Sequence, residues 1–176
     1  GNDLFFLYLS CGADARVARR FHAARQRHRR WFIGPAVNQA WYGLCAVGET
    51  HAPVPVRDLD RPASTAALLF ANVPSYAGGR CPGRGIAAAD GRLDAFALPP
   101  GLRLGLMLSG LRRLRPLGAR AAWRFTLTRP LSVQLDGEPR LLPAGPHVIE
   151  HAGRARVLMR RASRASPGLA TAGAAE

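Results

Sequence analysis

The sequence predicts an α+β fold that is mainly β, in which short strands form a β-sandwich-like domain with two or three packed helices. The chain of 176 residues is long enough for one domain with a sizeable core. Four short strands separated by turn residues are predicted near residues 121–128, 131–135, 140–142 joined to 146–151, and 154–159. Helical spacing of apolar residues is found in only three stretches. This pattern favours a sandwich over a parallel sheet.

The first part of the chain is predicted to contain one strand and two helices. Residues 4–9 are continuously apolar, which is typical of a strand buried on both faces. Asp14 is a candidate N-cap for a helix that runs to about Trp31. A Gly-Pro pair at residues 34–35 ends that helix, and a second helix is predicted over residues 37–47.

The middle of the chain alternates between strands and loops. Short apolar segments predict strands at residues 54–56, 65–73 and 93–98. A Gly-rich loop is predicted over residues 77–90. Leucines at helical spacing predict a third helix between residues 101 and 116.

The net charge of +14 suits a protein that contacts nucleic acid or an anionic membrane. However, all 25 basic residues are Arg, and Ala, Gly and Pro are also abundant, which is the composition that a GC-rich coding sequence produces. The Arg-rich first helix, with His22 and His28, is either a surface for anionic head groups or an ordinary solvated face. The charge is therefore a weak indicator of function.

Cys11, Cys45 and Cys81 are too few and too far apart for a disulfide framework, and their spacing does not indicate a zinc site. The apolar run at residues 4–9 is too short to span a bilayer and lacks the features of a signal peptide. We therefore expect a cytoplasmic protein whose membrane contact is peripheral. Residues 163–176 lack apolar periodicity and are expected to be a disordered tail.

Two polar turns are candidates for chemistry. Asp136 and Gly137 form a typical hairpin turn, and Glu138 after them is either an ordinary solvated side chain or a functional carboxylate. The segment of residues 90–94 offers the carboxylates of Asp90 and Asp94 and an intervening carbonyl, which are oxygen ligands that suit Mg²⁺. A plain loop before an edge strand explains these residues equally well.

The loop from residue 72 to residue 85 contains several glycines, whose backbone can approach a phosphate or glycerol group closely. It is not a Walker loop, because the chain contains no Lys and no Gly-rich phosphate fingerprint after a strand. Independent nucleotide binding is therefore not predicted.

Five ordered blocks carry a family resemblance. Residues 72–79 read Asn-Val-Pro-Ser-Tyr-Ala-Gly-Gly, residues 90–94 read Asp-Gly-Arg-Leu-Asp, and residues 133–139 read Val-Gln-Leu-Asp-Gly-Glu-Pro. They follow Leu-Tyr-Leu-Ser-Cys-Gly-Ala-Asp-Ala at residues 7–15 and Asn-Gln-Ala-Trp-Tyr-Gly at residues 38–43. In this order the blocks resemble the C-terminal accessory half of eukaryotic-type diacylglycerol kinases.

The resemblance implies an ATP-dependent kinase that phosphorylates the free hydroxyl of 1,2-diacylglycerol to phosphatidic acid in lipid signalling. It assigns Glu138 as the proton acceptor, and Asp90 and Asp94 as magnesium ligands. The remaining residues implied at the substrate cleft are Asn72, Ser75, Tyr76, Gly78, Gly79, Asp136 and Gly137. Sphingosine and ceramide kinases are a neighbouring alternative, which the blocks at residues 72–79 and 133–139 disfavour.

The family's ATP-binding lobe carries a Gly-Gly-Asp-Gly-Thr loop that this chain lacks. The resemblance therefore implies an accessory domain over residues 4–162, with residues 1–3 as a possible remnant of the catalytic lobe. ATP and Mg²⁺ are the implied cofactors, and the implied partners are diacylglycerol, the membrane surface and a catalytic lobe, with no specific nucleic acid. We expect this portion alone to be inactive. A rival interpretation is a noncatalytic basic module that binds anionic lipid or RNA.

Overall fold

The computed structural model describes residues 3–47, 52–76, 81–83, 85–88, 90–99 and 114–153. Within these ranges the chain forms two α-helices, one 3-10 turn and nine strands. The helices are α1 (Ala13–Arg27) and α2 (Pro35–Val47), and the 3-10 turn is Arg29–Trp31. The strands are β1 (Tyr8–Gly12), β2 (Val56–Arg57), β3 (Ala67–Ala71), β4 (Leu93–Leu98), β5 (Arg115–Arg120), β6 (Ala122–Leu127), β7 (Leu131–Leu135), β8 (Glu138–Leu142) and β9 (Gly145–Glu150).

The strands form two antiparallel sheets. The large sheet has the strand order β5-β4-β3-β1-β7-β8, and the small sheet has the order β2-β6-β9. Strand β1 lies in the middle of the large sheet, between β3 and β7. The mainly-β, sandwich-like fold with packed helices is therefore confirmed.

The core between the two sheets is built around aromatic side chains. Phe70 on β3 is fully buried and stacks on Phe125 of β6, with ring centroids 5.9 Å apart. Trp123 meets Phe70 edge-on and donates a buried hydrogen bond of 2.8 Å from its indole nitrogen to the Leu93 carbonyl of β4. Because these contacts join β3 and β4 to β6, they hold the small sheet against one face of the large sheet.

Helix α1 covers the opposite face of the large sheet. Its buried residues all belong to the first six positions, from Ala13 to Ala18. The chain enters this helix through Gly12, whose φ is +91° and whose hydrogen faces the Ala66 carbonyl oxygen and the Val54 side chain. A Cβ at this position would lie 2.5 Å from both, so only glycine permits the close passage from β1 into α1.

Two predictions about the start of the chain are wrong. Strand β1 is Tyr8–Gly12, and Leu4 and Phe6, predicted to be buried in a strand over residues 4–9, are 74% and 55% exposed. Asp14 is not the N-cap of α1, because the helix begins at Ala13 and Gly12 occupies the cap position. The Asp14 side chain turns into the protein instead, where other side chains hydrogen-bond to it.

The remaining predicted elements mostly occur, with changed bounds. Strand β4 has the predicted bounds, β3 is shorter than predicted, and the hairpin of β7 and β8 is present. Strand β5 was not predicted, because the helix was extended to residue 116. Most of that predicted helix, the predicted strand at residues 154–159 and the predicted disordered tail lie outside the described residues.

Each cysteine is free: Cys11 is buried, Cys45 is half-buried and Cys81 is exposed. Within the ranges described above, no helix combines the length and the apolar character that crossing a bilayer requires.

Candidate functional site

Several of the predicted site residues lie at one end of the large sheet. Asn72 directly follows β3, and Asp94 pairs with Ala71 across β4 and β3. The turn of Asp136 and Gly137 joins β7 to β8 at the same end, because β1 and β7 are antiparallel and Tyr8 is at the start of β1. Four strands about 4.8 Å apart therefore bring these polar residues into a row roughly 15 Å long. We call this row the polar edge.

Asp136 holds the segment that leads into β1. The backbone N–H groups of Phe6, Leu7 and Tyr8 donate hydrogen bonds of 2.7, 2.8 and 2.9 Å to the Asp136 carboxylate. In return, the Asp136 N–H donates to the Tyr8 carbonyl at 3.0 Å. Both carboxylate oxygens are thus engaged by the backbone. We call these four hydrogen bonds the Asp136 clamp.

The predicted hairpin turn at Asp136 and Gly137 is present. The φ angles of these residues are 51° and 95°, the left-handed values that a two-residue hairpin loop requires. Aspartate tolerates this conformation better than most residues, and glycine adopts it without steric cost. The Asp-Gly pair therefore shapes the turn and also supplies the carboxylate of the Asp136 clamp.

Asn72 holds the same segment from the other side. Its side-chain Nδ2 donates to the Phe6 carbonyl at 2.9 Å, and its backbone N–H donates to the Leu7 carbonyl at 2.9 Å. Residues 6 and 7 are therefore fixed between β3 and the β7–β8 turn, although their side chains are largely exposed. Asn72 therefore has a structural role here. Apart from its position after a strand, nothing in the sequence indicated this role.

Glu138 follows the clamped turn and begins β8, opposite Leu135 of β7. Strand β8 is an edge strand of the large sheet, and the Glu138 side chain is exposed. Paired residues of neighbouring antiparallel strands point to the same face, so Glu138 lies on the face of Leu135. The fold thus fixes the backbone of Glu138 and leaves its carboxylate open to solvent.

The Asp14 carboxylate is buried, with 1% exposure, and lies beside Ser10, two residues further along β1 than Tyr8. The Ser10 hydroxyl and the Gln134 side-chain amide donate to its Oδ2, both at 2.5 Å, and the Tyr42 hydroxyl donates to its Oδ1 at 2.9 Å. Gln134 also donates to the Ser10 hydroxyl at 2.8 Å. These contacts connect β1, β7, α1 and α2 through one carboxylate, for which the sequence predicted only the role of a helix cap.

The sequence contains two signals that point to this cluster. Ser10 and Asp14 are four residues apart across the junction of β1 and α1, and β7 reads Leu-Ser-Val-Gln-Leu, so Ser132 and Gln134 share one face of that strand. Gln134 is 3% exposed, and a buried polar side chain in a strand requires a partner.

The three tyrosines of the chain surround Asp14. Burial, followed by the charges of Asp14 and Asp136, raises the pKa of Tyr8 to about 12. Burial, followed by the Asp14 charge and hydrogen bond, raises the pKa of Tyr42 far above its usual range. Burial first and the Asp14 charge second also raise the pKa of Tyr76 well above normal. Burial and the Asp14 charge therefore favour the neutral form of all three tyrosines.

Tyr76 and Ser75, both predicted at the substrate cleft, have opposite surroundings. Ser75 is exposed, whereas Tyr76 is 5% exposed and packs edge-on against Tyr8 with ring centroids 5.1 Å apart. In the described part of the chain, the buried Tyr76 hydroxyl has no partner at hydrogen-bonding geometry, although the Asp14 charge acts on it. Gly78 and Gly79 lie outside the described residues.

Asp90 and Asp94 lie at the β4 end of the polar edge. Asp90 Oδ1 accepts a hydrogen bond of 2.9 Å from the Arg92 backbone N–H. Partial burial, followed by the Asp90 charge, raises the pKa of Asp94, and Arg92 opposes this effect. The Arg92 guanidinium donates to the Ala119 carbonyl at 2.8 Å. The two carboxylates therefore repel each other, which a divalent cation between them would relieve.

A complete metal centre is not formed by side chains alone. No group of three or more His, Cys, Asp and Glu side chains arranged to hold a metal occurs among the residues that the structure describes. The two carboxylates of Asp90 and Asp94 nevertheless fit Mg²⁺, because this ion often binds through one or two carboxylates and completes its coordination with water.

Comparison with known proteins identifies one matching family model. The model of the diacylglycerol kinase accessory domain matches residues 4–139, which include β1, the polar edge and Glu138. Diacylglycerol kinase 2 of Arabidopsis thaliana is 28% identical over 191 residues, an alignment that covers 93% of this chain and 26% of the plant protein. Human diacylglycerol kinase theta is 25% identical over 173 residues, covering 88% of this chain and 18% of the human protein.

A solved structure shares the fold. A protein from Bacillus anthracis str. Sterne, provisionally named a diacylglycerol kinase, superposes with a TM-score of 0.51 at 14% identity. The match covers 84% of this chain and 50% of the bacterial chain. The chain thus spans about a quarter or less of the plant and human relatives and half of the bacterial structure.

Replacing Asp136 with Gly tests the clamp without adding backbone strain, because Gly adopts the same positive φ. We expect Asp136→Gly to lower the free energy of unfolding by about 2 kcal/mol or more, since three hydrogen bonds to a carboxylate are lost. Asp58→Gly is the matched control: Asp58 also has a positive φ of 63° but accepts one side-chain hydrogen bond, from Thr126. Urea denaturation measures both, and equal losses would refute a special role for the Asp136 clamp.

The tyrosine cluster predicts unusual alkaline behaviour. All three tyrosines have raised pKa values in the folded chain, so their stabilising contribution is complete below about pH 10 and is lost as pH rises through the folded values. We expect near-ultraviolet absorbance to show no tyrosinate at pH 10 and a cooperative increase at higher pH. Asp14→Asn should move this increase to lower pH, whereas Asp58→Asn should not. Normal titration near pH 10 in the folded chain would contradict the cluster.

Proposed function

The chain belongs to the diacylglycerol kinase accessory domain family, and we propose that it is the accessory portion of an ATP-dependent kinase that converts 1,2-diacylglycerol to phosphatidic acid. The observation that carries the proposal is the arrangement of Asp136 and Glu138. The Asp136 clamp fixes the turn, and the next carboxylate along the chain is exposed. A reactive group needs this combination of a fixed backbone and an accessible side chain.

Glu138 is proposed to accept the proton of the lipid hydroxyl. As the hydroxyl oxygen bonds to the γ-phosphorus of ATP, the bond from that phosphorus to the oxygen of ADP breaks, and the hydroxyl proton moves to the Glu138 carboxylate. The products are phosphatidic acid and ADP. Because phosphoryl transfer depends mainly on positioning and charge stabilisation, a carboxylate that orients the hydroxyl also aids the reaction.

ATP is proposed to bind mainly to a catalytic lobe, since this sequence contains no phosphate-binding loop of the Walker type. Leu4, Phe6 and Leu7 support a protein contact beside the polar edge, because they are 74%, 55% and 45% exposed. An apolar group beside a polar reaction site suits the cleft between two lobes. On this view the chain is inactive until a catalytic lobe closes against the polar edge.

Asp90 and Asp94 are proposed to hold Mg²⁺ at the far end of the polar edge. The supporting observation is that two carboxylates lie at the start of β4 and repel each other; partial burial first and the Asp90 charge second raise the pKa of Asp94. The bound ion would neutralise this repulsion and stabilise the start of β4, so its role here is structural.

Glu138→Gln tests the proposed function. The chain is mixed with a separately expressed catalytic lobe from a related diacylglycerol kinase, and transfer of labelled phosphate from ATP to diacylglycerol in mixed micelles is measured. Loss of the proton acceptor should lower kcat by about a hundredfold or more with little change in KM. Glu150→Gln is the control, because Glu150 is also exposed on an edge strand, β9.

Three results would contradict the proposed function. Full activity of the Glu138→Gln variant would remove Glu138 from the chemistry. Activity of the unmixed chain would show that it carries its own ATP site. Equal losses in the Glu138 and Glu150 variants would indicate a general electrostatic effect on the lobes or the micelle.

A further inference from the structure

The α1–α2 hairpin extends beyond the part of α1 that packs on the sheet. Buried residues of α1 end at Ala18, and no residue from Arg19 to Arg27 is buried. Nine helical residues span roughly 13 Å. The 3-10 turn at Arg29–Trp31 then leads the chain back into α2. The turn is therefore the tip of a helical hairpin that projects from the sandwich.

The hairpin is held together by its own aromatic cluster. Phe21 of α1 contacts Phe32 and Tyr42 with ring centroids 5.5 Å apart in each pair, and Phe32 contacts Trp41 of α2 at 5.5 Å. Tyr42 in turn donates to the buried Asp14 carboxylate. These contacts pack α1 against α2 and connect the hairpin to the buried Asp14 cluster.

The tip of the hairpin combines exposed apolar and cationic groups. Trp31 is 61% exposed and Ile33 is 83% exposed. Arg29 and Arg30 are exposed beside them, and the His28 ring lies 5.5 Å from the Trp31 ring. Residues 13–47 contain seven Arg and one acidic residue, Asp14, which is buried. The tip therefore places the positive charges of Arg29 and Arg30 next to two large apolar side chains.

This combination fits an anionic membrane better than a nucleic acid. Tryptophan favours the boundary between head groups and acyl chains, and arginine binds lipid phosphates while its stem stays in apolar surroundings. Each basic residue near an anionic bilayer adds electrostatic attraction to the lipid head groups. Nucleic acid would bind through the positive charge of the tip, and the exposed aliphatic side chain of Ile33 would not contribute to that binding.

We propose that the tip of the α1–α2 hairpin is a membrane anchor that inserts Trp31 and Ile33 between anionic lipids and places Arg29 and Arg30 on their phosphates. The inference rests on the proposed function, because it names how an enzyme with a lipid substrate reaches that substrate. The proposed anchor is a lipid-binding surface that is distinct from the polar edge. Since phosphatidic acid is anionic, accumulating product would strengthen this attachment.

Flotation of the full chain with lipid vesicles tests the anchor in the absence of ATP. Vesicles of phosphatidylcholine alone are compared with vesicles that also contain phosphatidic acid, and only the second kind should bind strongly. Arg29→Glu combined with Arg30→Glu should weaken this binding by about tenfold or more. Ile33→Asp should weaken it by about tenfold through the lost insertion. Circular dichroism confirms that each variant is folded.

Matched controls use other exposed residues. Arg124→Glu combined with Arg129→Glu makes the same change in charge on the sandwich, and Leu141→Asp replaces an apolar side chain that is 64% exposed. These controls should change vesicle binding by about twofold or less. Equal losses in the tip and control variants would overturn the anchor, because attraction would then depend on net charge alone.

Other outcomes also decide between alternatives. Absence of binding to vesicles with phosphatidic acid would overturn the anchor, as would unchanged binding of the tip variants. Tip variants that bind vesicles normally but fail to associate with the catalytic lobe would assign the tip to a protein interface. If Glu138→Gln binds vesicles normally and also keeps full kinase activity in the mixed assay, the proposed role of Glu138 fails while the anchor stands.

Discussion

The Asp136 carboxylate, which accepts three consecutive backbone N–H groups, is the interaction on which the candidate site depends. Strand β1 is central in the large sheet, and the clamp fixes where this strand begins. The same clamp fixes the β7–β8 turn, because the Asp136 N–H donates to the Tyr8 carbonyl. The position of Glu138 is therefore set by hydrogen bonds to a segment about 130 residues away in sequence.

Three carboxylates near this centre have different surroundings and therefore different roles. Asp14 is buried and accepts hydrogen bonds from three side chains, so it joins strands and helices. Asp136 is exposed but engaged by the backbone. Glu138 is exposed at the start of an edge strand, which leaves it accessible to a substrate. Hydrogen bonding and burial, rather than residue type, separate the structural carboxylates from the candidate for chemistry.

Local patterns in the sequence predicted the elements whose structure is determined locally. The Asp-Gly pair specifies the positive φ angles of its turn, and the alternating segment of β4 has the predicted bounds. The start of β1 could not be predicted, because residues 4–7 are as apolar as a strand and only the distant Asp136 and Asn72 show where pairing begins. The same limit applies to Asp14, whose partners Tyr42 and Gln134 are 28 and 120 residues away.

Amide hydrogen exchange at Phe6, Leu7 and Tyr8 measures whether the Asp136 clamp fixes the start of β1 and the turn before Glu138. Asp136→Asn should speed exchange at these three amides by about tenfold or more, because an amide side chain replaces one acceptor oxygen with a donor. Exchange at Leu68, Leu69 and Phe70 in β3 should stay unchanged. Unaltered protection of residues 6–8 in this variant would contradict the account.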